Sequence, residues 1–73
     1  MAYEYSALLG KIVEKVGTQG ELARLIGLSE RSLSLKLNNK LGWKQEEIRK
    51  VAEVLGIESE DIAYYFFKEK VQD

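Results

Sequence analysis

Glu30, Arg31, Ser34 and Leu35 fall within six residues of a segment that reads as helix. Together they offer the chemistry of base-edge contact. An Arg guanidinium can donate two hydrogen bonds to guanine O6 and N7. A Glu carboxylate can accept from cytosine N4, and a thymine methyl can bury an outward Leu. Each also has a plainer role: Glu30 as a complement to the helix dipole, Arg31 as a solvated charge, Leu35 as a scattered exposed apolar residue. A second set suits a phosphate backbone. Gln19 and Gly20 open the preceding helix, whose free amides can receive an anion. Lys36, Asn38, Asn39, Lys40 and Lys44 flank the far end of the run. Residues 11–44 hold seven basic and three acidic side chains. Of the basic ones, Lys11 and Lys15 read as ordinary solvated helix positions, and Arg24 as lying further off.

Helical periods position these residues. Leu8, Leu9, Ile12, Val13 and Val16 predict one apolar stripe on a first helix, with Ser6 as its N-cap and Gly17 at its stop. Gly10 inside it implies a close backbone approach by another helix. Thr18-Gln19-Gly20-Glu21 predicts a capping box at the start of a second helix, with Leu22, Ala23, Leu25 and Ile26 as its apolar face. Gly27 ends that helix, and only Leu28 intervenes before Ser29, the N-cap of a third. So short a connection forces a sharp crossing, the helix-turn-helix arrangement, over about 18–38. In the third helix Leu33 and Leu37 point inward. Arg31, Ser34, Leu35 and Asn38 then point outward.

Asn38 to Gly42 reads as a loop. A fourth helix carries Ile48, Val51, Ala52 and Leu55 and stops at Gly56. Ile57 packs inward, and Ser59 caps a short fifth helix bearing Ile62, Tyr65 and Phe66. The last residues, about 69–73, are expected to fray. The expected fold is one compact all-α, five-helix domain over residues 1–73.

Composition narrows the function. The chain has 73 residues, 45% of them hydrophobic and 32% charged, which suits one small core. There is no Cys and no His, which removes disulfides, thiolate nucleophiles, zinc fingers and imidazole acid–base chemistry together. No pair among Ser, Tyr, Lys and Glu has the spacing of a nucleophile with its base, so an enzyme is not expected. Neither a metal, a cofactor nor a small-molecule ligand is implied. The longest apolar run, Ile62 to Phe67, is far short of the roughly 20 residues of a membrane span. An intracellular domain is therefore expected. Residues 1–44 carry seven Lys/Arg against four Asp/Glu, a net +3; residues 45–73 carry four against eight, a net −4. A phosphate backbone responds to the local field rather than to the overall −1, although such an imbalance also arises by scatter.

The stretch GTQGELARLIGLSERSLSLKLNNK resembles the helix-turn-helix of the phage Cro and CI repressor superfamily, also called lambda-repressor-like or XRE-type. EYSALLGKIVEKVGTQ and WKQEEIRKVAEVLGI are similar to small phage-encoded Cro-like regulators, so the resemblance runs from about Tyr5 to Phe67. It implies a five-helix fold whose third helix reads the major groove. The family's phosphate-clamping Gln falls on Gln19. Its base-reading positions fall on Glu30, Arg31, Ser32 and Leu35, and its backbone contact after helix three falls on Asn38. Two positions depart from the pattern: Gly20 replaces a helix former, and Glu30 replaces a neutral residue. The resemblance further implies a homodimer on a pseudo-palindromic operator of double-stranded DNA, in the cytoplasm of a bacterial host. Half-sites would lie about 34 Å apart. Tyr64, Tyr65, Phe66 and Phe67 are the candidate dimer or partner surface, since four successive aromatics cannot all face one core; capping the small core from several sides is the other reading. The expected function is a sequence-specific DNA-binding repressor. The alternative is a protein-interaction module of the same fold, binding another repressor or a toxin.

Overall fold

The computed structural model describes residues 2–71. Within them, helix boundaries follow the capping chemistry. The elements are α1 (Ser6–Lys15), α2 (Gln19–Ile26), α3 (Glu30–Leu37), α4 (Gln45–Leu55), a 3-10 turn (Ser59–Asp61) and α5 (Ile62–Phe66). The all-α expectation holds. Thr18 is extended, and its hydroxyl accepts from the Glu21 N–H at 3.1 Å. The return half of the expected capping box is absent, because the Glu21 carboxylate pairs with Arg24 instead. Ser29 is also extended and accepts from the Ser32 N–H at 3.0 Å. Between these caps Gly27 takes the left-handed φ of 77°, a conformation that strains residues with a Cβ. Each cap contributes about 1 kcal/mol, and together they set the length and hinge of the α2–α3 unit.

Leu8, Ile12, Leu22, Leu33, Val51, Leu55 and Phe66 are the largest fully enclosed side chains, so every helix supplies the core. α2 packs on both α3 and α4, while α1 spans α2, α4 and α5. The radius of gyration is 11.5 Å, close to the roughly 11 Å of a packed chain of this length. Among the described residues no helix is long and apolar enough to cross a membrane.

Several local expectations need correction. The α1 stripe is narrower than its pattern, for Val13 is 67% exposed while Leu8 and Ile12, one turn apart, are enclosed. Gly10 makes no close approach: nothing lies within 4 Å of where a Cβ would stand. Ser6 is the first helical residue rather than the cap, and its amide donates to Glu4 Oε1 at 2.7 Å. Ser59 opens a 3-10 turn and caps nothing. The C-terminal segment is pinned rather than frayed as far as Lys70. The Glu4 N–H donates to the Lys68 carbonyl at 2.7 Å, and the Lys70 N–H donates to the Ala2 carbonyl at 3.1 Å. Gln72 and Asp73 lie outside the described residues.

Candidate functional site

α2, the Gly27–Ser29 turn and α3 form a helix-turn-helix unit, braced from behind by α4. Leu33 and Leu37 fix the rotation of α3 by facing the core. That rotation leaves Arg31 and Asn38 exposed and Ser32, Ser34 and Leu35 half-buried. Arg31 forms no ion pair with any described residue. The two serines are partly committed. Ser32 Oγ accepts from Ser29 Oγ at 3.0 Å, and Ser34 Oγ accepts from Asn38 Nδ2 at 3.4 Å.

Glu30 does not project straight out. It precedes Leu33 by three and Leu37 by seven, so it heads their row at the exposed first turn of α3. Its carboxylate therefore leans toward the start of α2. A methyl group added at Gly20 would lie 2.5 Å from Glu30 Oε1. The two departures from the family pattern are thus one feature: Gly20 leaves the space that the Glu30 side chain uses. The carboxylate thus stands beside the first turn of α2, the end of that helix that favours an anion.

The phosphate-contacting set shrinks. Lys36 is only 3% exposed, contrary to its assignment as a backbone contact. Its Nζ lies 2.9 Å from Glu47 Oε1 and donates to the Gly42 carbonyl at 2.9 Å. The same ammonium stands 5.9 Å from the centre of the Trp43 ring. It is a buried tie between α3, the following loop and α4, with no reach to a ligand. Burial pushes the Glu47 carboxyl up. The hydrogen bonds from Lys36 and the Lys44 backbone amide outweigh that and hold it below the ordinary carboxylate range. Asn39 is exposed, but its side chain is used internally. It adopts a left-handed φ of 62°, and both ends of its amide are paired with the Tyr3 backbone at 2.9 Å. Gln19, Lys40 and Lys44 remain exposed.

The aromatic surface divides. Phe66 is 1% exposed and packs edge-on against Trp43 at 5.1 Å, so it belongs to the core and not to a partner surface. Tyr65 is half-buried against that core. Tyr64 at 55% and Phe67 at 48% exposure are what remains of the candidate interface. Glu47 went unnoticed in the sequence, although one signal was present. Position 36 lies on the Leu33/Leu37 stripe, so a Lys there needs a buried partner.

The comparisons with known proteins agree with a phage regulator. No curated protein matches the chain. The chain is similar to the modulator of repression (MOR) of the temperate bacteriophage TP901-1 from Lactococcus lactis, known from a solution structure. Identity is 56%, the TM-score is 0.81, and the match covers 99% of this chain and 97% of that one. The family described as "Protein of unknown function (DUF739)" matches residues 1–69, and the chain belongs to that family.

Proposed function

We propose that the chain modulates repression in a temperate phage by docking its α2–α3 face on another regulator, a repressor protein. The observation that carries this reading is the Glu30 carboxylate lying against Gly20. A negative group at the α2 N-terminus opposes a phosphate there and accommodates a donor from a protein. Burial of Lys36 and the internal use of Asn39 remove two further phosphate contacts. The similar phage protein is named for acting on repression, which fits a partner that is itself a repressor. Arg31 is then the natural anchor of the face, since Arg is enriched among the residues that dominate protein interfaces.

A second reading keeps the face on double-stranded DNA, as a member of the Cro/CI-type superfamily would have it. Arg31, Lys40 and Lys44 favour it, all exposed and without an ion pair to any described residue. Salt separates the two. Duplex binding weakens with a log–log slope of about −0.9 per phosphate contacted, and Arg31→Ala would cost about 1–3 kcal/mol at one base position. On the protein reading, duplexes fail to bind even at low salt, and Arg31→Ala weakens repressor binding by about 2 kcal/mol or more.

A further inference from the structure

The charge imbalance has a structural counterpart on the side of α4 and α5. There an open groove of about 830 Å³ runs between the two helices, within the roughly 300–1,000 Å³ range of ligand-holding clefts. Its floor is apolar: Ile48, Ala52, Ile57, Ile62 and Phe67. Its rim on α4 carries Glu46, Arg49 and Glu53, and Arg49 is claimed from both sides by the two carboxylates. Ser59 lines the other end, flanked in the chain by exposed Glu58, Glu60 and Asp61. The lining itself thus holds two carboxylates against one guanidinium, and the three further exposed acids stand beside Ser59 in the chain. The chain's own C-terminal segment does not cover the floor with its described residues, because Lys68 to Lys70 are tied to residues 2–4.

We propose that this groove receives an amphipathic helix of a partner protein whose apolar face is flanked by Lys and Arg. An apolar floor with spaced side chains is the receiving half of helix-in-groove recognition. An acidic border selects basic flanks and repels acidic ones. The same border disfavours an anionic membrane surface. The groove shares no residue with the α2–α3 face, so failure here leaves the reading of that face standing.

The test uses the full chain, labelled with ¹⁵N, and a synthetic 15-residue helical peptide. The peptide carries Leu at i, i+3, i+4 and i+7 with Lys on both flanks; a second peptide replaces each Lys with Glu. The expected result is saturable binding of the Lys peptide, with amide shifts confined to residues 45–67. The Glu peptide binds at least tenfold more weakly. Glu53→Lys, at an exposed position, weakens the Lys peptide at least threefold, while loss of its exposed pair with Arg49 lowers the melting temperature only slightly. Equal affinity for both peptides, shifts centred on α2 and α3, or no saturation overturns the proposal. So does a concentration-dependent dimer of the free chain with the same footprint, which would make a second copy the occupant.

Discussion

The α2–α3 unit and the α4–α5 side are built from the same core yet treat charge in opposite ways. On and just after α2–α3, Arg31, Lys40 and Lys44 are exposed without an ion pair to any described residue, while Glu21 is paired with Arg24 and the exposed Glu30 leans onto Gly20. On α4–α5 the acids are exposed and the one rim cation, Arg49, is shared between two of them. Lys36 and Glu47 join the two regions, one charge from each, in the buried tie. A formal net charge of −1 thus conceals an uneven distribution, +3 over residues 1–44 and −4 over residues 45–73.

The tie offers the largest way to break this arrangement. Lys36→Ala strands Glu47 and should cost about 3–5 kcal/mol. Denaturant unfolding, followed by the fluorescence of the single Trp43, reads this directly. The double variant Lys36→Met with Glu47→Gln should recover most of that loss, because it removes both charges and keeps an acceptor for the Lys44 amide. A similar loss, about 2–5 kcal/mol, is expected for Leu33→Ala, through the cavity it leaves, while Arg31→Ala should leave the melting temperature unchanged. Equal losses at 31 and 33 would mean that α3 is rotated from the orientation described.

Smaller effects sharpen the comparison. Ser29→Ala and Thr18→Ala should each cost about 1 kcal/mol, since each removes an acceptor for a helix-initiating amide. Gly10→Ala should stabilise by about 1 kcal/mol, because position 10 is helical and open to solvent. Acid acts through Glu47. Its folded pKa lies below its ordinary 4.5, so the tie's contribution is complete above that value and is lost as pH falls through the lower folded value. Melting temperatures of the wild type should drop in that window, and the Lys36→Met/Glu47→Gln variant should lose this part of the dependence.

Much of this was legible in the residues. Thr18, Gly27 and Ser29 announce two short helices and a tight hinge through chemistry that acts within three or four residues. Leu33 and Leu37 set the face of α3 by period alone. What escaped was non-local or ran against residue type. Asn39 meets Tyr3 across 36 positions, a distance over which no local pattern operates. Lys36 has the period of a core residue, but its charge directs attention to solvent. Phe66 among four aromatics is separated from Tyr64 and Phe67 only by where Trp43 stands. The groove arises where Ile48 and Ala52 of α4 meet Ile62 and Phe67, a juxtaposition made by the turn at Gly56.

The most direct test of the α2–α3 reading is one fluorescence-anisotropy series with two titrants, the repressor of the same phage and random or operator-containing duplexes, all at low salt. The account predicts saturable binding to the repressor, weakened about 30-fold or more by Arg31→Ala, and no saturation with any duplex. Operator-selective duplex binding that falls steeply with salt would contradict it and return the face to DNA.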